Sequence, residues 1–91
     1  MRRKIFVGIL HPRSYYGKGH HREIFTTNGY MPTFHTHGIR YTAVIGPFRS
    51  RLAAEIMAKH GENNPHFQHV EDAESFARLG RTVLRGRGFD V

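Results

Sequence analysis

The order of apolar and polar residues divides the chain into a strand-forming first half and a helix-forming second half. In Met1 to Leu10, the block Ile5, Phe6, Val7, Ile9 and Leu10 is broken only by Gly8, and the lack of polar alternation predicts an interior strand. His11 to His21 is rich in Gly, Ser, Tyr and His, and its Pro12, Gly17 and Gly19 predict an exposed loop. Glu23 to Thr27 and Tyr30 to Phe34 flank Asn28-Gly29, a dipeptide that tolerates positive φ at both centres of a tight turn, so a hairpin is expected. Pro32 has no amide donor, which assigns the second arm to an edge or an irregular path. Ile39 to Ile45 reads as the clearest strand. Ile39, Tyr41, Ala43 and Ile45 would share one face, with Arg40, Thr42 and Val44 on the other, and Gly46-Pro47-Phe48 would end it.

From Ser50 the period changes to that of a helix. Ser50 is a natural N-cap, and Leu52, Ala53, Ile56, Met57 and His60 fall on one side before Gly61 closes the turn. Glu62 to Pro65 reads as a polar loop. A second helix begins near Val70, with Glu71, Asp72 and Glu74 at its positive end, Arg78 and Arg81 at the other, and a stripe of Val70, Ala73, Phe76 and Ala77. Residues 80–91 show no clear period and read as a frayed tail or a late strand. These elements predict one small α+β domain over residues 1–91, an antiparallel sheet of three or four strands with two helices packed on one face.

At 91 residues, the chain has room for one core and none for a barrel or a dinucleotide fold. It has no cysteine, which excludes thiolate zinc sites, iron–sulfur clusters and cysteine nucleophiles. No apolar run approaches a membrane span and no convincing signal peptide opens the chain, so a cytoplasmic protein without membrane contact is expected. The net charge of +7 points to an anionic partner, and it is unevenly spread. Residues 1–54 carry +8, residues 55–76 carry −4 and residues 77–91 carry +3, the pattern of a bipolar molecule. Most of the cations are arginines, whose planar fork grips phosphate oxygens in pairs, although a GC-rich genome produces the same bias.

Between Tyr41 and Leu79, Gly46, Pro47 and Phe48 close a strand, Arg49 and Ser50 open a helix, Asn64, Pro65 and His66 stand in a loop, and Ala73 and Glu74 lie in a closing helix. With these residues the stretch resembles a group of short, mostly uncharacterised bacteriophage proteins. The resemblance implies a small accessory protein acting on host or defence machinery, in the host cytoplasm, and brings no catalytic residues. The strand, Gly-Pro-Phe and helix also resemble half of the sporulation-related repeat domain that binds peptidoglycan glycans, whose matching first half is missing here.

Three sets of residues are candidates for binding chemistry. Arg49, Ser50 and Arg51 stand at a strand-to-helix junction, where free amides and the helix dipole favour a phosphate; alternatively Ser50 is only a cap and the arginines are solvated. In the loop from Arg13 to Arg22, Tyr15 and Tyr16 could stack on bases while Lys18 and Arg22 follow the backbone, and Arg13, Arg22, Arg40, Arg49 and Arg51 are expected to build one cationic face. The opposing reading is a surface loop with its tyrosines folded back on the core. His35 and His37 would share one side of an extended backbone as metal ligands, with His20-His21 or His66 and His69 as further donors, but no spacing fixes a third ligand. No metal and no cofactor is therefore expected. Ser14 and Ser50 cannot be placed in a Ser/His/Asp arrangement, and Glu23 is the single acid of the basic half, so an enzyme is not expected. The leading expectation is a protein that binds DNA or RNA. A small nucleotide defence signal and an acidic host protein stand as alternative partners, with homodimerisation through Tyr30 to Phe34 or the C-terminal segment left open.

Overall fold

The structure is a computed structural model that describes residues 3–11, 22–61, 67 and 69–91. Strands β1 (Lys4–Leu10), β2 (Arg22–Thr27) and β3 (Tyr41–Phe48) form an antiparallel sheet in the order β2-β1-β3, joined by helices α1 (Phe34–His37), α2 (Arg51–His60), α3 (Val70–Ala77) and α4 (Arg81–Gly86). This is the α+β class read from the sequence. The unalternated apolar block is indeed the central strand, apolar on both faces because both are covered. Among the described residues no helix is long and apolar enough to cross a membrane.

Ile5 and Val7 face the three longer helices. Val7 and Phe48 join Ala53, Ala54, Ile56, Met57, Ala58, Phe67, Ala73 and Leu84 in the main core, with Ile5, Ile24 and Ile45 packed against it. Helix α2 crosses all three strands and is itself covered by α3. Its small Ala54 and Ala58, besides the predicted stripe, are buried because that second neighbour approaches closely. The cap at Ser50 and the stop at Gly61 are where the sequence placed them, with the Ser50 hydroxyl accepting from the Ala53 amide at 3.1 Å.

Phe6, Leu10 and Tyr41 are buried outside that core, on the opposite face of the sheet. The link between β2 and β3 crosses this face. Here the structure corrects several expectations. Tyr30 to Phe34 is not a strand: after Gly29 (φ 96°) the chain runs irregularly, and the Thr33 amide donates to the Thr36 hydroxyl at 2.8 Å, starting the four-residue α1. Ile39 lies in a turn and is 92% exposed, so β3 starts two residues later than expected. Tyr41 does not share a face with Ala43 and Ile45. Leu10 pairs with Tyr41 but Ile9 with Ala43, so one extra residue, Thr42, is taken up and Tyr41 turns to the other side. A second irregularity, opposite Phe6, carries β3 through Gly46-Pro47 to Phe48 instead of ending it. Gly46 has φ 139°, and a Cβ there would stand 2.7 Å from Phe6 Cδ1, so glycine is required.

The last expectation to change is the tail. Residues 81–86 form α4, whose Leu84 is fully buried and whose following Phe89 packs on Phe76 and Phe67 with ring centroids 5.6 and 6.1 Å apart. One apolar residue per turn is too short a signal for a period.

Candidate nucleic-acid interface

Arg13, Tyr15, Tyr16 and Lys18 lie outside the described residues, as do Ser14, His20-His21 and the Asn64-Pro65-His66 loop. The described candidates do not build the one cationic face expected of Arg22, Arg40, Arg49 and Arg51, because strand alternation and the length of β3 send them to three separate places. Arg22 is on the helix side of β2, where its Nη1 donates to the Met57 carbonyl at 3.1 Å in the last turn of α2. Such a cation matches the negative end of the helix dipole. Gly61 makes room for it, since a Cβ at that position would stand 2.9 Å from this nitrogen.

Arg40 is on the opposite face. Its guanidinium forks onto the Glu23 carboxylate, with Nη2 to Oε2 at 3.0 Å, and the Tyr41 hydroxyl donates to Glu23 Oε1 at 2.5 Å. The hydrogen bonds from Arg40 and then from Tyr41 hold the Glu23 carboxyl below the usual range against the opposing effect of burial, and the bond to Glu23, then the contact with Tyr41, raises Arg40. Burial, and then the bond to Glu23, push the Tyr41 phenol up to about 12. The triangle is possible because β1 offers only Gly8 beneath the Tyr41 ring, and a Cβ at Gly8 would overlap that ring.

Arg49, Ser50 and Arg51 lie at the other end of β3, roughly 20–25 Å away for a strand of this length. The fold adds Arg78 to them. Arg49 and Arg78 line one groove of about 230 Å³ with Ser50, Glu74 and Ala77, and Arg51 opens α2 beside it. Glu74 is turned inward, accepting from the Arg49 amide at 2.6 Å, whereas the Arg49 side chain is 89% exposed and its Nε is 3.9 Å from Glu74. Arg51 and Arg78 are exposed, and among the described residues neither takes part in an ion pair. From the sequence, Arg78 matches the negative end of the α3 dipole and nothing more. Nothing in its spacing from Arg49 signals that α3 folds back along the end of β3.

His35 and His37 sit in α1, not on an extended backbone, and helical residues two apart do not face each other. The His37 ring stacks on Phe25 with centroids 4.7 Å apart. His69 precedes α3 as its N-cap, and among the described residues no three His, Asp or Glu side chains gather as metal ligands. A second groove, of about 270 Å³, runs beside β3 between Pro32, Thr33, His37 and Gly38 on one side and Tyr41 to Val44 on the other, with no lysine or arginine in its lining. No family model, curated protein or solved structure matches the chain.

Proposed function

We propose that the protein is a non-enzymatic nucleic-acid-binding protein that holds DNA or RNA by its phosphates, an accessory role of the kind the bacteriophage resemblance implies. The observation that carries this reading is how the charges are paired. The acids are largely spent inside the molecule: Glu23 on Arg40, Glu55 on Arg81 at 2.6 Å, Glu74 on the Arg49 amide, and Asp72 on the His69 amide at 2.9 Å. Arg51, which opens α2, and Arg78, which closes α3 beside it, are exposed and take part in no ion pair among the described residues. Such cations release condensed counterions when they meet a phosphate backbone, which makes binding strongly dependent on salt.

The test is fluorescence anisotropy with labelled 20-nucleotide single strands and duplexes between 50 and 200 mM NaCl. Neutralising three or four phosphates predicts an affinity that falls about 100-fold over that range. No binding at the low-salt end, or a response flat in salt, overturns the proposal.

A further inference from the structure

The helices α2, α3 and α4 leave one face of the sheet to the irregular segment of residues 28–40, and that segment keeps apolar side chains in water. Tyr30, Met31 and Ile39 are 49%, 52% and 92% exposed, and they are half of the large hydrophobic residues so exposed among the described residues. Beneath them the rings form a layered stack. Phe6 and Phe25 are 5.4 Å apart at 20°, Phe25 and Tyr41 5.0 Å at 13°, and His37 lies on Phe25 at 25°. Tyr30 continues the series beyond His37 at 6.2 Å and 31°. The inner rings fill the core. Tyr30 and the half-buried His37 are its outer members, and burial does not account for their exposure.

Charge on this face suits a polyanion. Glu23 is the single acid in residues 1–54, and its carboxylate is already taken by Arg40 and the Tyr41 hydroxyl. Lys4 shares the face with Phe6 by strand alternation, at one end of the sheet. Arg40 is at the other end, 61% exposed, with its charge balanced by Glu23. Exposed rings beside a cation match a strand whose bases are unpaired, because a duplex keeps its base faces stacked inside.

We infer that the nucleic acid is single-stranded, with bases stacking on Tyr30 and His37 and its backbone running past Lys4 towards the junction of β3 and α2. This rests on the nucleic-acid reading above, which can stand without it. The experiment measures a dT15 single strand and a 15-base-pair duplex at one fixed salt concentration, with the intact chain and with Tyr30→Ala and Tyr30→Phe. Tyr30→Ala is expected to weaken dT15 by about five-fold to 100-fold, the range for one lost base–aromatic stack, with duplex affinity unchanged. Tyr30→Phe keeps the ring and retains binding. In the unsubstituted protein, dT15 should also shift the ring-proton resonances of Tyr30 and His37. Equal losses on single strand and duplex, no loss with Tyr30→Ala, or ring resonances that do not move overturn the stacking while leaving phosphate binding intact. Absence of binding to either oligonucleotide at 50 mM NaCl removes both readings.

Discussion

Tyr41 has three roles at once, and each was hidden for a different reason. Its ring fills the space above Gly8, stacks on Phe25, and presents a hydroxyl to Glu23. Alternation alone put Tyr41 with Ala43 and Ile45, since a strand period cannot show where one extra residue is taken up. The resulting triangle makes stability depend on pH at both ends of the scale. Glu23 has a folded pKa below its unfolded value near 4.3, so its contribution is present above that value and disappears as pH falls through the depressed one. Tyr41 is shifted the other way, from near 10 to about 12. Its contribution is complete below pH ~10 and is lost as pH rises towards the folded value. Urea midpoints measured against pH should therefore fall below pH ~4 and above pH ~10, and Glu23→Gln should flatten the acid limb. An acid limb unchanged in Glu23→Gln would mean that the contact with Arg40 is worth nothing in solution.

Among the elements, what the sequence made legible was whatever is carried by local chemistry. The hydroxyl at Ser50, the glycine at Gly61 and the unbroken apolar block of β1 each act within a few residues, so the helix α2, its ends and the central position of β1 could all be read. The acids at Glu71 and Asp72 likewise marked the start of α3. What was not legible depends on distant partners. The Thr33–Thr36 hydrogen bonds that divert the chain into α1 compete with a hairpin that Asn28-Gly29 suggests equally well. Helix α4 is the stronger case, because Leu84 and Phe89 are held by α2, α3 and Phe67, not by their own sequence neighbours. Its consequence is measurable. Leu84 is completely buried, so Leu84→Ala should cost about 2–5 kcal/mol, read from urea unfolding followed by far-UV circular dichroism. An exposed neighbour on the same helix, Arg85→Ala, should cost far less, since it is solvent-exposed and its Nε donates to the Val91 carbonyl at 2.5 Å. A loss below ~1 kcal/mol at Leu84 would return this segment to the status of a tail.

At the scale of the whole molecule, net charge and the pairing of individual charges make different claims about binding. A diffuse field of +7 treats every arginine alike. The fold does not: Arg40 and Arg81 are held by Glu23 and Glu55, while Arg51 at the start of α2 and Arg78 at the end of α3 are exposed and take part in no ion pair among the described residues. A paired arginine must give up a carboxylate before it meets a phosphate, and the freed carboxylate then repels the ligand. Exposed and unpaired arginines carry no such cost and should account for the measured counterion release. Arg51→Gln and Arg78→Gln are each expected to lower the slope of log K against log salt by about 0.7–0.9, with stability unchanged. Arg81→Gln should change the slope much less while costing a few tenths of a kcal/mol or more in stability, because it strips Glu55 of its partner. If all three substitutions lower the slope equally, binding follows net charge alone and the groove formed by Arg49 and Arg78 is not the contact surface. A slope that responds to Arg51 and Arg78 but not to Arg81 locates the backbone contact at the junction of β3 and α2, the place where the sequence already joined Arg49, Ser50 and Arg51.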